Sequence, residues 1–167
     1  MNDDTRWLTQ DELRAWTRLE AVVELLPGAL DGPLRSAAEL SHYEYLVLAK
    51  LSEATDRTLR MSELAARTNA TLPRLSHVSA RLEARGYLER RTCADDRRAT
   101  LASLTDSGWR KVLATAPEHV RSVRDLVIDA LTPEQVAQLD AIATAVLCRL
   151  DPEDHLRMLG PAPTTAA

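Results

Sequence analysis

Residues 71–105, TLPRLSHVSARLEARGYLERRTCADDRRATLASLT, decide how this chain folds. At about 100° per residue, four apolar side chains near the start of the stretch fall within one arc, which predicts a helix packed on that side. They are Leu72, Leu75, Val78 and Leu82. Gly86 follows where a left-handed residue commonly ends a helix. Residues 87–91 and 99–104 are extended in character, and the polar residues 94–97 predict the turn of a two-stranded hairpin.

A second arc of the predicted helix is basic. Its members recur at spacings of three and four residues and therefore stack on a single face. They are Arg74, His77, Arg81 and Arg85. Residues 67–98 contain eight arginines and four carboxylates, a net charge of +4 in a chain whose total is −4, so the remainder carries −8. A charged helix face is often only solvated, but this concentration favours binding to the phosphates of DNA.

A second short helix precedes this one. Ser62 is expected to cap a helix over residues 63–67, after a polar loop at 56–60. Asn69 tolerates the left-handed conformation that a tight turn needs, Thr71 is a good N-cap, and Pro73 suits the first turn of a helix. Two helices joined in this way and followed by a hairpin predict a winged helix-turn-helix that binds DNA, with the second helix as the reader.

The rest of the chain reads as longer helices. Thr9 with Glu12, Ser41 with Glu44, and Thr132 with Gln135 each have the spacing of a capping box. The first predicted helix ends near Leu26, because Pro27-Gly28 and Gly32-Pro33 follow, and a helix from Asp106 to about Leu131 is expected to kink or restart at Pro117. The two C-terminal helices carry more apolar surface than one small domain hides, which suits a dimer interface.

Composition narrows the class of function. Hydrophobic residues make up 45% and charged residues 28% of the 167, Phe is absent, and no apolar run approaches a membrane span. The acidic N-terminus lacks the apolar segment of a secretory signal, so we expect a cytoplasmic protein. The four histidines and two cysteines have no metal-ligand spacing, and no phosphate loop or nucleophile elbow is present. We therefore expect no enzyme activity, cofactor or metal.

The same central stretch resembles the MarR family of bacterial transcription regulators. The matching pieces are LEARGYL at 82–88, DRR at 96–98 and LTDSG at 104–108. The resemblance extends more weakly over roughly residues 9–150. It implies a homodimer whose two winged domains read neighbouring half-sites of a pseudo-palindromic operator. We expect the protein to act as a repressor. It also implies that Arg98 enters the minor groove and that Asp96 steadies the wing, whereas the family often has Arg at the position of His77.

The resulting architecture is mainly α with a small β-wing. We expect residues 1–40 to form an N-terminal dimerisation helix and linker, although this helix could instead cover the core of its own subunit. Residues 41–105 would form the winged helix-turn-helix domain, 106–158 the C-terminal dimerisation helices, and 159–167 a disordered tail.

Seven residues are predicted to contact DNA: Arg74, Ser76, His77, Arg81, Arg91, Arg97 and Arg98. Ser76 lies well off the arginine face by helical angle, so it could instead touch the neighbouring helix. Arg81 could instead form an internal ion pair. The alternative function is a winged-helix module that binds another protein through its acidic remainder, without specific DNA binding.

Regulation by a small molecule follows only from the resemblance. Family members often release DNA when a small, frequently aromatic, effector enters between the dimer helices and the winged domain. Five side chains could line such a pocket or be ordinary core and interface residues: Trp16, His42, Tyr43, Tyr45 and Trp109. Cys93 lies near arginines of the wing and could sense oxidants, while Cys148 is expected in the core.

Overall fold

The computed structural model describes residues 5–156, so the predicted disordered tail at 159–167 lies outside the described residues. Helices and strands follow one another in the order α1 (Gln10–Ala38), α2 (His42–Ser52), β1 (Thr58–Arg60), α3 (Met61–Arg67), α4 (Leu72–Ala84), β2 (Leu88–Thr92), β3 (Thr100–Leu104), α5 (Asp106–Leu126) and α6 (Pro133–Leu150). Within residues 5–156, no helix combines the length and the apolar character needed to cross a membrane.

Helix α1 begins as predicted but does not end near Leu26. The Thr9–Glu12 capping box is present, and the helix continues through Pro27 and Pro33 to Ala38. Each proline deprives a carbonyl one turn earlier of its N–H partner, but those carbonyls belong to exposed residues, so water can hydrate them. The last third of the helix buries Leu30 and Leu34, and packing against α2 and α5 keeps it helical.

The prediction of a loop over residues 56–60 is wrong for residues 58–60. A short 3₁₀ turn at Thr55–Arg57 leads into strand β1, which pairs antiparallel with β3, so the sheet has three strands in the order β1-β3-β2. Leu59 faces Ala102 across the ladder, and both side chains are buried. Three residues, of which only one is buried, are too few for the alternation of apolar and polar side chains to be recognised in the sequence.

The helix-turn-helix is formed by α3 and α4. Helix α3 begins at Met61 with Arg60 as its N-cap, so Ser62 does not cap it as predicted. Asn69 is left-handed at φ 47°, and Gly86 beyond α4 is left-handed at φ 72°, as expected. Leu75 and Leu82 are fully buried and Val78 nearly so, whereas Leu72, predicted to pack inward, is 51% exposed. It is the first residue of α4, at the margin of the buried arc.

Helix α5 packs against α1 and α2, and the C-terminal end of α6 lies near α3. Helix α5 passes through Pro117 without a restart and ends at Leu126, earlier than predicted, where a 3₁₀ turn leads towards α6. The predicted Thr132–Gln135 capping box opens α6. No residue of α6 is buried within the subunit, so Cys148 is exposed and the prediction that it packs in the core is wrong.

Candidate nucleic-acid interface

The arginine-rich arc of α4 faces helix α2. The guanidinium carbon of Arg74 lies 4.5 Å from the centre of the Tyr43 ring, a cation–π distance. Arg81 Nη2 donates to Glu44 Oε1 at 3.0 Å. Just beyond α4, Arg85 Nη1 donates to the carbonyl of Glu39 at 2.8 Å. The arginines of this arc therefore lie on the flank of the reader helix and connect it to the region around the start of α2. The contact of Arg81 with Glu44 is the internal ion pair that the sequence left open as the alternative for Arg81.

Glu44 is the anchor of this contact. Its carboxylate accepts from the Ser41 N–H at 2.8 Å and from the Ser41 hydroxyl at 2.9 Å, which completes the predicted capping box of α2. Burial alone would raise the pKa of Glu44, but these hydrogen bonds and the charge of Arg81 outweigh burial and hold the pKa below its ordinary value. Glu44 is therefore ionised at neutral pH and keeps Arg81 in place.

The surface of α4 that points away from the protein is small and mostly uncharged. Its exposed residues are Pro73, Ser76, His77, Ala80 and Ala84. They lie opposite the buried side, which consists of Leu75, Val78, Ser79 and Leu82. Ser76, which the helical angle places off the arginine face, lies at the front of the helix and has both a donor and an acceptor to offer.

The wing presents the uncompensated charge. Arg91, Arg97 and Arg98 are exposed, and none forms an ion pair with another residue in the described part of the chain. The Arg98 N–H donates to Asp96 Oδ1 at 3.0 Å, and Arg60 Nη1 lies 3.5 Å from Asp96 Oδ2. Asp96 thus links the turn of the wing to the end of β1, and the Arg98 side chain extends from a turn that is held at its backbone.

Two side-chain groups join the reader helix to the wing. Glu83 accepts from the backbone N–H of Arg90 at 2.8 Å and from its guanidinium at 2.7 and 3.0 Å. The bonds with Arg90 lower the pKa of Glu83, so the pair is charged at neutral pH. Thr105 Oγ1 donates to the Gly86 carbonyl at 2.7 Å and accepts from the Gly108 N–H at 3.0 Å. Helix α4, strand β2 and helix α5 are therefore fixed to one another.

The five predicted effector residues do not line one shared space. Trp16 is 51% exposed on α1. Tyr43 packs beneath Arg74, and its hydroxyl is hydrogen-bonded to Thr68 Oγ1 at 3.1 Å. Trp109 lies on α5 beneath the guanidinium of Arg57. Among the ring–ring contacts of the described residues, those of His42 and Tyr45 share one partner, His119.

A pair of histidines joins α2 to α5. The rings of His42 and His119 stack with centroids 5.7 Å apart, and the centroid of the Tyr45 ring lies 4.8 Å from that of His119. Burial lowers the pKa of both histidines; the charge of His42 lowers that of His119 further, while Asp31 partly offsets the effect on His42. Nδ1 of His119 is buried without a hydrogen-bond partner in the described chain. Both rings are therefore held neutral at pH 7.

Cys93 is buried where β2 ends, and its N–H donates to the Ala99 carbonyl at 2.9 Å across the base of the wing turn. The sequence reading did not identify Glu44, Arg60 or Glu83 as part of this region. Glu44 was visible only as a capping residue, and Arg60 and Glu83 had no local signal, since their partners lie 36 and 7 residues away.

Comparison with known proteins agrees with this architecture. The profile of the MarR family matches residues 40–100. The structure of Sco3205, a MarR family transcriptional regulator from Streptomyces coelicolor in complex with DNA, is 42% identical over 92% of this chain and 96% of its own, with a TM-score of 0.84. AbsC, a MarR family transcriptional regulator from the same organism, is 37% identical over 89% and 99%, with a TM-score of 0.81.

A more distant relative is the transcriptional repressor MprA of Escherichia coli K12. It is 27% identical over 107 residues, which are 64% of this chain and 60% of that protein. The two Streptomyces proteins match over nearly their whole lengths, at identities where fold and family go together. The chain therefore belongs to the MarR family of transcription regulators, with a winged helix-turn-helix fold.

Proposed function

We propose that this protein is a DNA-binding regulator that binds a pseudo-palindromic operator as a homodimer. The observation that carries the proposal is the group of exposed arginines on the wing, Arg91, Arg97 and Arg98, beside a reader helix whose outer face is free of ion pairs in the described chain. Cations without a protein partner in an acidic chain are available to displace counterions from phosphates. The relative Sco3205 has been solved with DNA, which supports the same use here.

Dimerisation is supported by the apolar surface that one subunit leaves uncovered. Large apolar side chains are 40–75% exposed along the outer parts of three helices. They are Leu13, Trp16, Leu19, Val22, Val23 and Leu25 of α1, Leu113, Val120 and Leu126 of α5, and Leu139, Ile142, Val146 and Leu150 of α6. A surface of this extent on a water-exposed protein indicates a partner, and a second copy would give a symmetric interface. Residues 1–40 and 106–158 would thus serve as dimerisation segments and 41–105 as the DNA-binding domain.

In the proposed complex, each α4 enters a major groove and each wing lies beside the adjacent minor groove. Ser76 and His77 offer hydrogen bonds to base edges, and Arg98 inserts into the minor groove while Asp96 holds its backbone. Arg91 and Arg97 contact phosphates. Arg74 and Arg81 contact the DNA from the flank of α4, where stacking on Tyr43 and pairing with Glu44 orient them. Repression is supported by the name of the E. coli relative, MprA.

Release by a small aromatic effector belongs to the same proposal. His42 and Tyr45 meet at the junction between the winged unit and α5, where a bound molecule could change the angle between the two reader helices. Trp16, Tyr43 and Trp109 lie in separate surroundings, so we place the centre of the proposed effector site at His42 and Tyr45.

The test replaces Arg98 by Ala and follows binding to DNA fragments from upstream of the gene by mobility shift at fixed salt. Loss of one inserted guanidinium from each subunit should weaken binding at least about tenfold, or ~1.4 kcal/mol. Arg121→Ala is the matched control, because it removes the same charge from the outer half of α5, and its affinity should equal that of the wild type.

Equal affinity of the Arg98→Ala and wild-type proteins would reject the role of the wing. A wild-type protein that binds these fragments no better than random DNA would favour the protein-interaction module instead.

A further inference from the structure

Leu72 is unusual among the exposed apolar side chains of this protein. Within residues 5–156, every other large hydrophobic side chain with substantial exposure lies in the segment leading into α1 or on α1, α5 or α6. The proposed dimerisation accounts for the side chains on the three long helices. Leu72 lies instead in the winged unit, 51% exposed at the first residue of α4, so a second copy bound to the long helices leaves it uncovered.

The surroundings of Leu72 place it beside the wing. It borders a cleft of about 200 Å³ whose other walls include Arg60, Ser62, Arg98 and Thr100. Arg60 and Arg98 are both held by Asp96, as described above. Leu72 therefore lies between the front of the reader helix and the root of the wing, on the side of the molecule that carries the exposed arginines.

We propose that Leu72 is a specificity-determining residue that packs against the C5-methyl group of a thymine in the major groove. The inference rests on the proposed function and deepens it. Leucine has no group that can bind a phosphate or a polar base edge, and the thymine methyl is the one apolar group that the base edges present in the major groove. The first residues of a reader helix are those that reach the bases.

This contact also accounts for the character of the outer face of α4. Pro73 and Ala80 have no side-chain donors, so polar readout is left to Ser76 and His77 at the centre of the face. With the arginines of α4 drawn towards α2, apolar contact becomes a major source of sequence preference. A half-site read by this helix therefore contains a thymine at the base pair next to the wing.

The experiment first selects the preferred sites of the wild-type protein from a random DNA library. Each thymine of the best site and its symmetry mate are then replaced together by deoxyuridine, which removes only the methyl groups. Burial of one methyl-sized group is worth about a fourfold change in affinity, so the two half-sites together should give about 15-fold at one thymine position.

Leu72→Ala should bind the thymine site about as weakly as the wild type binds its deoxyuridine form, and should lose little more when that thymine is replaced. Leu72→Met keeps an apolar contact and should retain thymine sensitivity. Arg121→Ala, on the exposed surface of α5 and outside the proposed dimer interface, is the control and should retain the wild-type sensitivity at every position.

The inference is overturned if Leu72→Ala keeps the full deoxyuridine penalty at every thymine, or if no thymine is sensitive in the wild type. Both results leave DNA binding intact. Failure of the proposed function would appear differently, as the absence of any selected site that the wild-type protein prefers over random DNA.

Discussion

Gly108 is the position where the structure makes the sharpest prediction about a single substitution. It lies in the first turn of α5, where its N–H donates to Thr105 Oγ1. A Cβ built on Gly108 would lie 2.0 Å from the carbonyl oxygen of Tyr87 and 2.7 Å from Cδ1 of Leu104. The glycine of the LTDSG segment is therefore required by the close approach of α5 to the start of the wing, and Gly108→Ala should destabilise the protein.

The magnitude follows from three effects. In an open helix, alanine would be more stable than glycine by about 1 kcal/mol. Against this, the methyl must move at least about 1 Å from a backbone carbonyl, and overpacking of this kind costs ~1–3 kcal/mol. The same Tyr87 carbonyl accepts from the Thr105 N–H at 3.1 Å, a bond worth about 1 kcal/mol that the displacement would weaken. We expect the free energy of unfolding to fall by about 1–3 kcal/mol.

Denaturant unfolding followed by circular dichroism measures this change, at one fixed protein concentration because dimerisation contributes to stability. Gly28→Ala is the matched control, since a Cβ there meets no atom within 4 Å outside its chain neighbours and the next residue is not proline, and it should raise stability by about 0.5–1 kcal/mol. Ser107→Ala tests the same turn without the clash. A Gly108→Ala protein as stable as the wild type would refute the close approach.

Two further predictions concern partly or fully buried ionisable side chains. Because the pKa values of His42 and His119 are lowered in the folded protein, the unfolded chain binds more protons as pH falls below about 6.5. The free energy of unfolding should therefore decrease from pH 7.5 to 5.5, and His119→Gln should reduce this slope in urea titrations. An unchanged slope in His119→Gln would count against the neutral histidine pair. Glu44→Gln removes the charge that the Ser41 N–H and Arg81 stabilise, and it should lower the free energy of unfolding by about 1–2 kcal/mol. Glu39→Gln, at an exposed position, is the control. Equal denaturation midpoints for the two variants in the same assay would contradict the anchoring role of Glu44.

Local sequence patterns predicted several helix starts and left-handed turns well. The capping boxes at Thr9, Ser41 and Thr132 and the left-handed Asn69 and Gly86 are all confirmed. These features depend on neighbours within about four residues, so the sequence carries them directly. Strand β1 and the continuity of α1 through its prolines depend on distant partners, and these were missed. For β1 the partner is β3, some 40 residues later, and for α1 it is the packing surface of α2 and α5.

The sequence by itself determined that α4 has an apolar side and an arginine-rich side, because helical periodicity fixes the angle of each side chain. Only the tertiary structure decided what each side meets. Arg74 and Arg81 turn towards Tyr43 and Glu44, whereas Leu72 stays at the surface. The physical reason is that angle specifies a direction from the helix axis, while the packing of α2 against α4 decides whether that direction leads to protein or to solvent.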